Sequence, residues 1–399
     1  MENIDYKRYI VLLCLLLICL AGCITPRSTS IPELITSPTA TATLDPGGTC
    51  PPPATPVPSQ TPTITPTPGP APTERVFLSP ETCGDWNENG HILYLYSNDK
   101  NSGELTYASR FDLYIMNGNG CYPRLIMEDV SGSPAWSKDG QRIAIGCQNN
   151  TMLCILDAAE VLRACGPRHP TDGSCISDTA IQEIIALPQE VAGDNYLNHI
   201  VWSSDGVQIL VEASNMIDPS IALIGGLGQS DDWTMIEQKD AILMYDWDPV
   251  GPYMASSGIY LINTVSGERE RITTDGWSPV WSPDGSQIAF VIESGDENKE
   301  WRGIAVVDVA TKAVSWLYEP ANWDFSHLRP KNLAIGNDDN MHHVLSWSLD
   351  GRYLAFQSTL NSSYDGQIYR LELSTGEIRI LTAKHEGLSS RFGAPAWGP

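Results

Sequence analysis

One short segment recurs along this chain of 399 residues: a tryptophan followed, four residues later, by a glycine. It reads DWNENG at Trp86, AWSKDG at Trp136, VWSSDG at Trp202, DWDPVG at Trp247, VWSPDG at Trp281 and SWSLDG at Trp347, with a shortened APAWGP at Trp397. Most copies run on into an apolar stretch, as in RIAIGC, VQILVEA, QIAFVI and YLAFQS. A catalytic group is needed once, whereas a structural turn is needed in every unit. Repetition therefore assigns Ser282 and Asp284 to architecture rather than chemistry. A unit of this size cannot bury its own faces and must lean on its neighbours, which restricts the chain to radial or solenoid arrangements.

The repeat has a local physical meaning. In Ser282-Pro283-Asp284-Gly285, proline presets φ and glycine closes the reversal, predicting a tight type I turn whose aspartate bonds nearby backbone N–H groups. The preceding tryptophan is an apolar plate for packing between sheets. Each repeat supplies about four short strands. In the fifth they read SPVWS, QIAFVIE, GIAVVDV and AVSWLY, and in the sixth VLSWS, RYLAFQS, QIYRLEL and IRILT. The expectation is an all-β fold, a six-bladed β-propeller of four-stranded antiparallel blades. The C-terminal strand APAWGP closes it by joining a first blade made of HILYLYS, FDLYIMN and a piece near Tyr122 to Ile126, which removes an open edge. Asp178 to Leu187 is the main exception: Ile181, Ile184, Ile185 and Leu187 fit either a short helix or an outer strand.

The pattern P-x-W-S-x-D-G-x-x-I-A-F resembles the repeat of TolB-type six-bladed β-propellers. It also occurs in propeller domains of prolyl oligopeptidase relatives and of oligogalacturonate lyases. The likeness covers residues 82 to 399 and is weaker in the fourth unit, where DWDPVGPYMAS lacks the serine. TolB carries an additional N-terminal α/β domain that has no counterpart here. The peptidases append an α/β-hydrolase domain with a G-x-S-x-G elbow, for which this chain has neither motif nor room. The resemblance therefore implies the fold, and function has to be argued from a site.

The N-terminus, MENIDYKRYIVLLCLLLICLAGC, carries Lys7 and Arg8 before an apolar run too short to span a bilayer comfortably, and reads as an export signal over residues 1–22. Its end, Leu20-Ala21-Gly22-Cys23, resembles the lipobox of bacterial lipoproteins. That resemblance implies cleavage before Cys23, diacylation of its thiol and acylation of the new N-terminus with chains of the palmitate type. The expected membrane contact is this anchor rather than a spanning helix. Residues 23–75 form the expected stalk, dominated by Pro and Thr as in SPTATATLDP and TPTITPTPGP. In polyproline geometry about 50 such residues reach on the order of 150 Å. The propeller is assigned to residues 76–399.

Lys and Arg total 24 against 48 Asp and Glu, a formal charge of -24. Such a surface repels phosphate backbones and argues against nucleic acid as a partner. Cys14 and Cys19 leave with the signal, and Cys50 lies in the stalk. Six cysteines remain: Cys83, Cys121, Cys147, Cys154, Cys165 and Cys175. In an oxidising compartment they are expected to form disulfides, with many pairings open. Cys147 and Cys154 flank the turn QNNTML, while Cys165 and Cys175 can close a small loop.

Two long intervals between tryptophans hold insertions, about Gly166 to Asn198 and Glu319 to His342. They are expected on one face as opposed walls over the central mouth, unless Ile181 to Leu187 is the outer strand of its blade. Loops on that face bring Tyr107, Trp301, Trp323, Phe325 and Tyr364 beside polar and acidic neighbours, a candidate ligand funnel for sugars or peptide side chains. His199, His342 and His343 start inner strands, and oligogalacturonate lyases place metal-binding histidines around their channel. That resemblance implies a candidate Mn or Zn site. No other cofactor is indicated. The functional expectation is an exported, lipid-anchored envelope protein whose propeller binds or scaffolds a protein or glycan. The alternative is a lyase-like, polysaccharide-active enzyme with a channel metal.

Overall fold

The strands of this chain alternate between two buried faces, and one strand shows how. In the segment Gln287–Ser294, Ile288, Phe290 and Ile292 pack with Ala255, Ile259 and Leu261 on one side. Ala289 and Val291 turn to the other side and meet Leu354, Phe356 and Tyr369. Side chains alternate along a strand, so a sheet covered on both faces needs apolar residues at both parities. Burying each large aliphatic side chain contributes about 1.5–3 kcal/mol.

The computed structural model describes residues 83–97, 111–148, 151–166, 173–188, 196–214, 220–226, 233–239, 245–256, 258–273, 276–294, 301–318, 345–358, 366–382 and 391–399. It begins with β1 (His91–Ser97), β2 (Phe111–Asn117), β3 (Arg124–Trp136), β4 (Arg142–Cys147), β5 (Met152–Asp157) and β6 (Ile181–Ala186). A four-stranded sheet follows, made of β7 (Tyr196–Trp202), β8 (Gln208–Ser214), β9 (Ser220–Gly226) and β10 (Trp233–Lys239). The next comprises β11 (Tyr245–Trp247), β12 (Tyr253–Ser256), β13 (Tyr260–Asn263) and β14 (Arg269–Arg271). Then come β15 (Trp277–Trp281), β16 (Gln287–Ser294), β17 (Trp301–Asp308) and β18 (Val314–Tyr318). The last sheet has β19 (Leu345–Trp347), β20 (Tyr353–Ser358), β21 (Gln367–Glu372) and β22 (Ile378–Ile380). Finally β23 (Arg391–Gly398) pairs antiparallel with β1, as the APAWGP pattern predicts.

The result is a propeller-like arrangement of four-stranded antiparallel sheets. Four sheets are separate, and β23-β1-β2-β3-β4-β5-β6 form one sheet of seven strands. The cause is β3, which pairs with β2 over Arg124–Val130 and with β4 over Ser131–Trp136. It serves as outer strand of one unit and inner strand of the next. The inner strands touch in succession, β3 to β7, β11, β15, β19 and β23, and β23 returns to β3.

The recurrent turn is a closed hydrogen-bond unit. Ser282 Oγ donates to Asp284 at 2.7 Å and accepts from Gln287 N at 2.9 Å, while Asp284 accepts from Ser286 N. Gly285 takes φ +70°, a left-handed conformation that glycine adopts without a Cβ penalty. The same bonds link Ser137 with Asp139, Ser203 with Asp205 and Ser348 with Asp350. These serine hydroxyls hold the Asp139, Asp205 and Asp284 carboxyls below the usual carboxylate range. Three of the tryptophans then tie their unit to the one before. Trp136, Trp202 and Trp347 donate their indole N–H at 3.1 Å to the carbonyls of Ala396, Ala135 and Val280. The repeat is thus a turn clamp plus a rivet between units.

Three disulfides form, Cys83–Cys121, Cys147–Cys154 and Cys165–Cys175, with Cα separations of 5.6, 6.0 and 5.0 Å. They point to an oxidising, extracytoplasmic setting. Among the described residues no helix is long and apolar enough to cross a membrane. The last four-stranded sheet is tied to the turn after β2 by Arg370, which donates to the Gly118 carbonyl and Asn119 and lies over the Tyr353 ring at 4.6 Å.

One open alternative is settled and one expectation needs correction. Ile181–Ala186 is the outer strand β6, not a helix, because Ile185 is buried opposite Leu153 while Ile184 points out. The helix of this region is instead α1 (Ala158–Ala164), built of good helix formers and capped by Asp157, whose carboxylate accepts from Glu160 N at 2.9 Å. Consequently the first insertion lies between β5 and β6. In an antiparallel succession this connection shares a face with the β3–β4 turn, not with the loops joining successive units. The model of two facing walls over one mouth therefore fails. The second insertion lies outside the described residues.

Candidate functional site

The residue before each tryptophan sits on the inner strand and borders the central mouth. These positions hold Ala135, Val201, Asp246, Val280, Ser346 and Ala396, and all line one cavity of about 200 Å³. The tryptophans of the same strands and the turn residues Lys138, Pro249, Pro283 and Leu349 complete it. The mouth is thus apolar in most of its circumference and lies on the face that carries the recurrent turns.

Asp246 is the one ionisable residue in that inner ring. It is 8 % exposed. One carboxylate oxygen accepts from Trp247 N at 2.9 Å, and the other accepts from Trp281 N at 2.7 Å. Lys138, from the β3–β4 turn, places its ammonium 3.4 Å from the first oxygen. A buried carboxylate tied by two backbone donors keeps a fixed orientation, because its rotation would orphan both. Ser346 plays the equivalent part once more, accepting from Trp397 N at 2.8 Å. Trp281 differs from Trp136, Trp202 and Trp347, since its indole nitrogen has no acceptor among the described residues.

Of the histidines expected at inner strands, His199 does lie in β7, is 2 % exposed and borders this cavity. His342 and His343 lie outside the described residues, as do Tyr107, Trp323, Phe325 and Tyr364. Trp301 opens β17, where the backbone alone is described. No group of three or more His, Cys, Asp or Glu poised for a metal occurs among the described residues. The sequence reading missed Lys138 and Asp246. Aligning the residue before each tryptophan gives D, A, V, D, V, S, A over the seven copies, which marks Asp246, with Asp85, as a charge where the other copies are small or apolar.

No family model matches the chain, and no curated protein matches it. Solved structures do. TolB from Acinetobacter baumannii superposes with a TM-score of 0.55 at 19 % identity, covering 79 % of this chain and 68 % of that one. A manganese complex of oligogalacturonate lyase gives 0.43 at 15 %, covering 79 % and 87 %. The β-propeller domain of the Trilobed protease from Pyrococcus furiosus gives 0.41 at 13 %, covering 78 % and 86 %. At the identity found for TolB, the likeness is one of fold: this chain is similar to TolB in being built as a β-propeller.

Proposed function

We propose that this chain is an exported lipoprotein, acylated on Cys23, whose propeller is a binding module for an envelope protein or glycan. In this reading β3 is shared by two blades, so that the seven-stranded sheet and the four separate sheets make six. The observation that carries the binding assignment is the charged pair Lys138–Asp246 set in a mouth whose inner ring is mostly apolar and whose walls include proline and tryptophan. Binding sites combine a concave apolar lining with a few fixed polar groups, and this mouth has both. The disulfides support the exported location. The metal-dependent, lyase-like reading stands second, on the position of His199 at the same mouth.

The anchor is tested by mass analysis of the mature N-terminus and by Cys23→Ala, which should release the protein from membranes. A Cys23→Ala protein that stays in the membrane fraction sinks the lipoprotein assignment. The binding reading is tested with a photo-crosslinking residue at Leu349, which is half exposed beside the mouth, against a control at the exposed Val265 on the β13–β14 turn. Adducts in intact cells at Leu349 and not at Val265 are expected. Equal labelling, or none, removes the mouth from consideration. Metal analysis of the purified protein with a His199→Ala control decides the second reading.

A further inference from the structure

Resting on the reading of the mouth as a binding site, we propose that its ligand is a guanidinium group, the side chain of an arginine on a partner protein, received by Asp246. Lys138 is the internal occupant that this arginine displaces.

The count of acceptor sites leads to this ligand. An ionised carboxylate offers about four lone-pair sites. Three bonds are made, from Trp247 N, Trp281 N and Lys138 Nζ. With Lys138 in place one site is open, and when it leaves there are two, one on each oxygen. A guanidinium presents two parallel N–H groups and pairs with a carboxylate through both, whereas an ammonium is a point donor. The backbone donors hold the carboxylate in one orientation, so this acceptor pair is preorganised. Lys138 is held less firmly than the carboxylate: its contact is 3.4 Å, its side chain is 27 % exposed, and it springs from a turn rather than a strand.

The surroundings fit the rest of such a side chain. The Pro249, Pro283 and Leu349 rim and the tryptophan walls offer apolar surface to the three methylenes of arginine. The cavity of about 200 Å³ has room for one long side chain. The formal charge of -24 draws a basic segment to the surface and repels an acidic one. Lys138 then keeps the carboxylate paired when no ligand is present, which avoids a buried, uncompensated charge.

The test uses the full chain in detergent and three capped tripeptides, glycine-X-glycine, with X arginine, lysine or citrulline, followed by tryptophan fluorescence and calorimetry. The arginine peptide should bind best and lose affinity as salt rises. The lysine peptide should be weaker, and the uncharged citrulline isostere weaker by about tenfold or more. Asp246→Asn should abolish the discrimination between arginine and citrulline. Because that variant loses ties to two backbone groups and can fail to fold, Lys138→Ala is the decisive one. It lies on a turn, and it should raise arginine affinity several-fold by removing the competitor. Unchanged or weaker binding in Lys138→Ala overturns the proposal, as does citrulline binding equal to arginine. The latter result leaves the mouth a binding site for another chemistry. Absence of any peptide binding also overturns the proposal, while the Leu349 adducts report on the binding reading independently.

Discussion

The turn at Ser282–Gln287 and the turn at Asp248–Tyr253 occupy equivalent places in successive units, yet they are built differently. In the first, serine and aspartate close a ring of side-chain bonds and Gly285 takes a left-handed conformation. In the second, Asp248 replaces the serine, accepts from Val250 N at 2.9 Å, and forms no serine–aspartate pair. The backbone bond that closes the turn survives in both, Ser282 N to Gln287 O at 2.8 Å and Asp248 N to Tyr253 O at 2.9 Å. The outline of the reversal is therefore set by strand pairing, and the side-chain clamp stiffens it. The unit with this irregular turn is also the one that places Asp246 at the mouth. Where a repeat departs from its own rule, a requirement other than packing is the reasonable cause.

The largest test of this comparison concerns the rivets. Trp347→Ala removes a buried plate and its bond to the Val280 carbonyl, and should cost about 3–5 kcal/mol. Trp281 is as deeply buried but its indole N–H has no acceptor among the described residues, so Trp281→Ala should cost less by about 1 kcal/mol. Denaturant melts of the two variants measure the difference, and equal costs would deny the indole bond any part in joining units. A smaller effect is expected at the clamps. Ser282→Ala loses a donor to Asp284 and an acceptor for Gln287 N, and should cost about 1–2 kcal/mol, whereas Asp248→Ala loses one bond and should cost less than about 1 kcal/mol. The reverse ranking would mean that the irregular turn is the more tightly held.

How far these differences were legible in the sequence depends on whether the cause is local. The turn chemistry of Ser282, Asp284 and Gly285 acts within six residues, and QIAFVIE, GIAVVDV and RYLAFQS emerged as β16, β17 and β20. The closing strand was readable because APAWGP repeats a pattern. The continuity of β3 was not, since nothing in RLIMEDVSGSPAW says that its two halves have different partners. Helix α1 is only 7 residues long, below what periodicity can detect, and owes its existence to the Asp157 cap. The Lys138–Asp246 pair joins residues 108 apart in sequence, so it was out of reach of any reading by spacing.

The smallest predicted effect separates the clamps from the place where no covalent turn exists, the junction of β23 with β1. There His91 donates through Nδ1 to the Pro399 carbonyl, and the Trp86 ring lies 4.6 Å away. Burial pushes the His91 imidazole below its ordinary value, against the opposing pull of the Pro399 and Trp86 carbonyls. A base lowered in the folded state takes up its proton more readily when unfolded. Its contribution to stability is therefore present above about pH 6.5 and is lost as pH falls through the folded value. The clamp aspartates are lowered as well, but from the carboxylate range, so their contribution is lost only in much stronger acid. On mild acidification the junction should loosen first and the clamps should hold. Thermal midpoints between pH 7 and pH 5 should fall, and His91→Gln, which keeps a donor but does not titrate, should flatten that slope. If the slope is unchanged in the variant, acid sensitivity arises elsewhere, and the junction is as robust to pH as the turns it replaces.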